Sequence, residues 1–159
     1  MSPTDILGKP TIHPVLFVIS KLAVLLSWLL VAAKLTGLWS PSTLFPALPF
    51  LAGPMFALGL AVIVLAIPML GPSVRVGLPR EETRLRTGGL YRVSRNPMYV
   101  GVFLLCIAAI LYVPHWTVIA CCAAGSILHH RIVLAEETFL DARFGDAWRG
   151  YRAKVRRYL

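Results

Sequence analysis

Four apolar runs separated by short polar or basic stretches set the pattern of this chain: residues 14–36, 45–70, 97–114 and 116–135. A helix needs about 20 apolar residues to cross roughly 30 Å of hydrocarbon. The pattern therefore predicts an all-α, polytopic membrane protein with four spans. Pro14 and Pro97 each stand where a first helical residue is expected, since the missing N–H has no partner there anyway. Gly53, Pro54, Gly59 and Pro68 predict an irregular, kinked second helix that neighbours approach closely. Only Val113-Pro114-His115-Trp116 joins the third run to the fourth, which predicts a tight antiparallel hairpin with Tyr112 and Trp116 in an interfacial belt. With no internal repeat and no long linker, residues 1–159 read as one domain.

Composition sharpens this picture. Hydrophobic residues make up 57% of the chain and charged residues 14%, against about a quarter charged in soluble domains. The formal charge of +9 raises nucleic acid as a partner, but the cations flank apolar runs, which fits membrane orientation instead. Arg75, Arg80, Arg84, Arg86, Arg92 and Arg95 precede the third run, and Arg143, Arg149, Arg152, Lys154, Arg156 and Arg157 follow the fourth. The positive-inside rule then puts both stretches and both termini in the cytoplasm, with an uncleaved first helix. Cys106, Cys121 and Cys122 all lie in apolar runs and read as small buried hydrophobes rather than disulfide partners.

Two stretches carry candidate chemistry. In Arg86-Thr87-Gly88-Gly89-Leu90-Tyr91-Arg92-Val93-Ser94-Arg95-Asn96-Pro97-Met98-Tyr99 a polar loop runs into the third helix, with Asn96 as the expected N-cap. The helix N-terminus and the neighbouring arginines favour an anionic group, and Gly88 and Gly89 let backbone come close to it. The competing reading is that these arginines hold lipid headgroups and the glycines make a turn. In the second stretch His129, His130 and Arg131 interrupt an apolar span, and Glu136 and Glu137 follow. Ionisable groups at such depth are functional candidates. His129 and Glu136 fall about 20° apart on one helix face, as do His130 and Glu137, whereas Arg131 and Glu136 diverge by about 140°. Adjacent histidines diverge too, and no ligand spacing supports a metal. Lys21 and Lys34, on flexible stems near the membrane surfaces, are expected to snorkel.

Taken in order, Gly89-Leu90-Tyr91-Arg92 with Arg95-Asn96-Pro97-Met98-Tyr99-Val100-Gly101, then Glu136-Glu137 with Leu140 and Phe144-Gly145-Asp146-Ala147-Trp148-Arg149-Gly150-Tyr151, resemble the isoprenylcysteine carboxyl methyltransferase and phospholipid N-methyltransferase group of integral membrane enzymes. The resemblance covers roughly the C-terminal half. It implies a cytoplasmic-face pocket for S-adenosyl-L-methionine, closed by the loop and the tail. It assigns cofactor contacts to Thr83, Arg84, Leu85, Arg86, Gly89, Tyr91, Arg95, Asn96, Pro97, Met98, Tyr99 and Glu136, and places Arg131 at the acceptor's carboxylate. Asn96 stands where relatives often have His, Thr83 where a His commonly precedes the motif, and Val155-Arg156-Arg157 replaces Val-Pro-Arg.

The implied reaction is methyl transfer to a lipophilic or amphipathic acceptor, a lipid or a prenylated molecule, most like isoprenylcysteine carboxyl O-methylation, with phospholipid N-methylation as the alternative. A carboxylate acceptor needs no base. An amine must lose a proton, for which His129 or Glu137 stands by. Two further readings come from other classes: an NADPH-dependent sterol reductase, whose Arg-x-x-Tyr and C-terminal layout are similar but whose chains are much longer, and a non-catalytic lipid-binding membrane protein.

Overall fold

The computed structural model describes residues 14–70 and 85–159. The helices are α1 (Pro14–Leu35), α2 (Pro49–Leu70), α3 (Pro97–Tyr112), α4 (Trp116–Phe144) and α5 (Asp146–Lys154), with one 3-10 turn at Gly89–Arg92 before α3. Three of the described helices, α1, α2 and α4, are long and apolar enough to cross a membrane, while α3 is apolar but has only 16 residues. No strand occurs among the described residues; a lone parallel bridge joins Ser94 to Arg156.

The helix limits differ from those read off hydropathy, for local reasons. Pro46 and Pro49 bias the residues before them away from the α region, so α2 begins at Pro49 rather than near residue 45. Nothing breaks the fourth helix at residue 135, and it continues to Phe144, where Gly145 takes a left-handed φ of 50°. Asn96 does occupy the N-cap of α3, but its side chain makes no capping bond there. Its carboxamide is drawn instead to the Arg157 carbonyl at 3.2 Å.

Packing pairs α2 with α3 and α1 with α4, while the sequential neighbours α3 and α4 touch less extensively. Small residues explain the pairing. A Cβ on Gly101 would stand 2.7 Å from the Gly59 carbonyl, and one on Gly125 would stand 2.8 Å from the Val24 side chain, so each helix pair meets almost backbone to backbone. Ser20 and Ser27 are fully buried on α1, their hydroxyls returned to the Phe17 and Val24 carbonyls at 2.7 Å each. At the end of the bundle away from the basic loop, Lys34 does not simply snorkel. Its ammonium donates to the Tyr112 carbonyl at 2.8 Å and lies over that ring, neutralising the C-terminus of α3. His115 caps α4, its Nδ1 accepting from the Thr117 N–H.

After α5 the chain turns back. Arg95 N–H donates to the Arg156 carbonyl at 2.9 Å, Ser94 Oγ to the Arg157 carbonyl at 3.2 Å, and the Tyr158 ring seats edge-on against Phe103 of α3 while its hydroxyl bonds His130 of α4. The tail thus reaches both α3 and α4.

Candidate functional site

The loop into α3 is pinned from two sides. Gly89 has φ 59°, and a Cβ there would meet the Met69 sulfur at 2.6 Å. That sulfur accepts the Leu90 N–H, which ties the loop to the end of α2. On the other side Tyr91 is buried, and its carbonyl accepts the Tyr151 hydroxyl of α5 at 2.6 Å. Burial, opposed by the Arg95 charge, pushes the Tyr151 hydroxyl up to about 12, so it stays a protonated donor. Trp148, the other buried side chain of α5, lies beneath the Arg95 guanidinium, 5.6 Å from the ring centroid.

Glu137 ties the parts together. Arg157 Nε and Nη2 donate to its carboxylate at 2.9 to 3.1 Å, Arg95 Nη2 stands 3.3 Å from Oε1, and Asn96 Nδ2 lies 3.5 Å from the same oxygen. Arg95 and Glu137 side chains are each only 7% exposed. Charge-assisted contacts of this kind are about twice as strong as neutral ones. Burial lowers the Arg95 guanidinium from its ordinary value and Glu137 opposes that fall, whereas at Arg157 the bond to Glu137 dominates and raises it.

Glu136, next in the chain, belongs to a different set. Tyr99 of α3 donates its hydroxyl to Glu136 Oε1 at 3.0 Å, and its ring meets His129 edge-on with centroids 5.8 Å apart. The expected common face of His129 and Glu136 is therefore the face that meets Tyr99. His129 is buried; its Nδ1 lies 2.6 Å from the Gly125 carbonyl, which assigns the proton to Nδ1 and leaves Nε2 as the acceptor. That Nε2 lies 3.3 Å from the ammonium of Lys21, on α1.

The remaining sequence candidates scatter around these groups. Pro97 is buried at the start of α3 and Met98 half-buried, Leu85 is half-buried, and Arg86 and Gly89 are exposed. Thr83 and Arg84 lie outside the described residues. Arg131 is exposed, in the outward stripe of α4 that also holds Ala124, Ile127 and Thr138, away from Tyr99 and Glu136. Four contributors escaped sequence reasoning. Arg157, Tyr151 and Trp148 sit in the basic tail and its motif with no sign of what they touch, and Lys21 was read as an anchor although it interrupts an apolar run.

Chemically, the loop side of the site offers donors without acceptors. Arg95 Nε and Nη1 and Trp148 Nε1 are all buried and make no hydrogen bond among the described residues. Unpaired buried donors are costly and rare, and a cluster of them suits an anionic or oxygen-rich group. The Tyr99–Glu136–His129–Lys21 side offers a carboxylate, a neutral imidazole and a cation.

The family model described as phospholipid methyltransferase matches residues 48–147. Comparison with curated proteins and with solved structures gives no match. The matched stretch runs from the start of α2 through both glutamates to the first residues of α5, and covers well over half of the chain. An all-helical chain with membrane-spanning helices and a polar site gathered around α3 and α4 is what such an enzyme requires, and this chain belongs to the phospholipid methyltransferase family.

Proposed function

We propose that the chain transfers a methyl group from S-adenosyl-L-methionine to an acceptor held in the membrane, and that the acceptor is the amine of an aminophospholipid. The observation that carries this reading is the buried trio of unpartnered donors on Arg95 and Trp148. Its chemistry fits the amino-acid carboxylate of the cofactor, and the Glu136 carboxylate fits an ammonium or ribose hydroxyls. Gly89, Tyr91, Asn96, Pro97, Met98 and Tyr99 would form the surround, with Leu85 and Arg86 flanking. When bound, the cofactor supplies a methyl group on a positively charged sulfur.

What the chain's own residues must then do is align the two partners and exclude water, which alone accounts for several kcal/mol of the barrier, about 7 or more in well-oriented cases. An amine attacks only after losing its proton. His129, neutral and protonated at Nδ1, has Nε2 as its basic atom, and in our reading Nε2 takes that proton once the Lys21 ammonium, 3.3 Å away, turns from it. Glu137 is not assigned this task, because two guanidiniums already engage its carboxylate. It acts as a positioning residue that sets Arg95 and Asn96. Arg131, on the outer face of α4 away from Tyr99 and Glu136, takes no part at the reacting centre in this reading. Carboxyl O-methylation of a prenylated cysteine is the second reading. It is favoured by a cation, Lys21, placed beside the site, and it needs no base.

Calorimetry on purified protein in detergent tests the cofactor: binding of S-adenosylhomocysteine and S-adenosylmethionine is expected, with no heat from NADPH. Binding of NADPH alone would overturn the reading. Turnover on phosphatidylethanolamine against N-acetyl-S-farnesylcysteine, both in mixed micelles, then separates N- from O-methylation.

A further inference from the structure

Lys21 presents a cation that makes no direct ion pair among the described residues. It lies one to two turns into α1, within a stretch of mean hydropathy 2.5. The residue is exposed at the surface of α1. Its ammonium nevertheless turns toward the site: it lies 3.3 Å from His129 Nε2 and 5.3 Å from the centroid of the Phe17 ring. Both partners are uncharged. The imidazole can only accept here, because its Nδ1 proton is committed to the Gly125 carbonyl, and a ring face draws a cation without neutralising it. None of the ion pairs among the described residues includes Lys21. The charge of Glu136 reaches Lys21 without direct contact, and its Oε1 accepts from Tyr99.

An ammonium at this depth without a directly bonded anion is costly, and a lysine that merely anchors the helix would extend along the surface to the headgroups. Lys21 instead reaches sideways across to α4. Building on the methyltransferase reading, we infer that Lys21 is a specificity-determining residue that holds the anionic oxygen group of the acceptor, a lipid phosphate or a carboxylate, from the membrane side.

The test is steady-state kinetics of the full chain in mixed micelles with three acceptors: dioleoyl phosphatidylethanolamine, N-acetyl-S-farnesylcysteine and oleylamine, which has a reactive amine but no anion. Lys21→Ala is expected to raise KM about ten-fold for whichever anionic acceptor is methylated. Its kcat should stay within about three-fold, and KM for oleylamine should not move. Lys21→Arg should restore most of the loss, since it keeps the charge. S-adenosylhomocysteine affinity, measured by calorimetry on the same variants, should remain within about two-fold, which separates this idea from the cofactor assignment. A KM effect confined to phosphatidylethanolamine identifies a phosphate, and one confined to the farnesylcysteine a carboxylate. Equal loss on all three acceptors would mean that Lys21 acts only through His129, and an unchanged KM on the anionic acceptor would mean that it is an anchor. Either result overturns the inference.

Discussion

Glu136 and Glu137 are adjacent in the chain, yet their surroundings assign them opposite tasks. Glu137 meets two arginines and an asparagine drawn from the loop and the tail, whereas Glu136 accepts from the phenol of Tyr99. Removing one partner of a buried, bonded charge set costs about 3–5 kcal/mol. Glu137→Gln should therefore lower the thermal midpoint measurably and weaken S-adenosylhomocysteine binding through Arg95, while Glu136→Gln leaves the midpoint nearly unchanged and weakens cofactor binding about ten-fold, the loss of one charge-assisted bond. Thermal shift and calorimetry on the two variants check this, and the reverse ranking would exchange the two roles. The pair was legible in the sequence as a pair, because helical spacing set His129 with Glu136 and His130 with Glu137. Their partners were not. Lys21 lies 108 residues from His129 and Arg157 lies 61 from Asn96, and no local pattern encodes contacts at such separations. Asn96 shows the same limit in reverse: its position announced a cap, but the tail claims its side chain.

Helices were readable from hydropathy as elements, and their edges were misjudged where proline or glycine, rather than polarity, decides. The pairing of helices rests on a few glycines. Gly101→Ala would push a Cβ against the Gly59 carbonyl, and backbone cannot yield as a side-chain tip can. The expected cost is about 1–3 kcal/mol, seen as a lower unfolding temperature in detergent. Gly53→Ala, where a Cβ meets nothing within 4 Å, should be neutral or slightly stabilising by the same measurement. Equal effects at both positions would remove close approach as the reason α2 and α3 pair. Although the short Val113–Trp116 connection implied a tight hairpin, α3 and α4 separate enough for Tyr158 to sit between them. Connection length limits how far apart helix ends lie, but side-chain size decides which helices close.

Over the whole molecule, the arginine-rich loop and tail converge at one end of the bundle, and the connections at the other end hold no Lys or Arg. We expect the basic end to face the cytoplasm. In a variant lacking Cys106, Cys121 and Cys122, single cysteines at Ser42 and Ala153 should react with membrane-impermeant maleimide from opposite sides, and labelling from one side would refute that topology. Folding joins α2 and α3, which carry the loop, to α1 and α4, which carry the glutamates and Lys21. The tail crosses the seam between them.

The shortness of α3 acquires meaning in this setting. Its 16 residues extend about 24 Å, less than the roughly 30 Å of an average hydrocarbon layer. Lipids beside it must thin or tilt to match, at a modest cost per ångström. The headgroup plane next to Tyr99 would then dip below its level around the longer helices. A polar headgroup would reach the site by following the contour of its own leaflet, without being lifted out of the bilayer or dragged through oil.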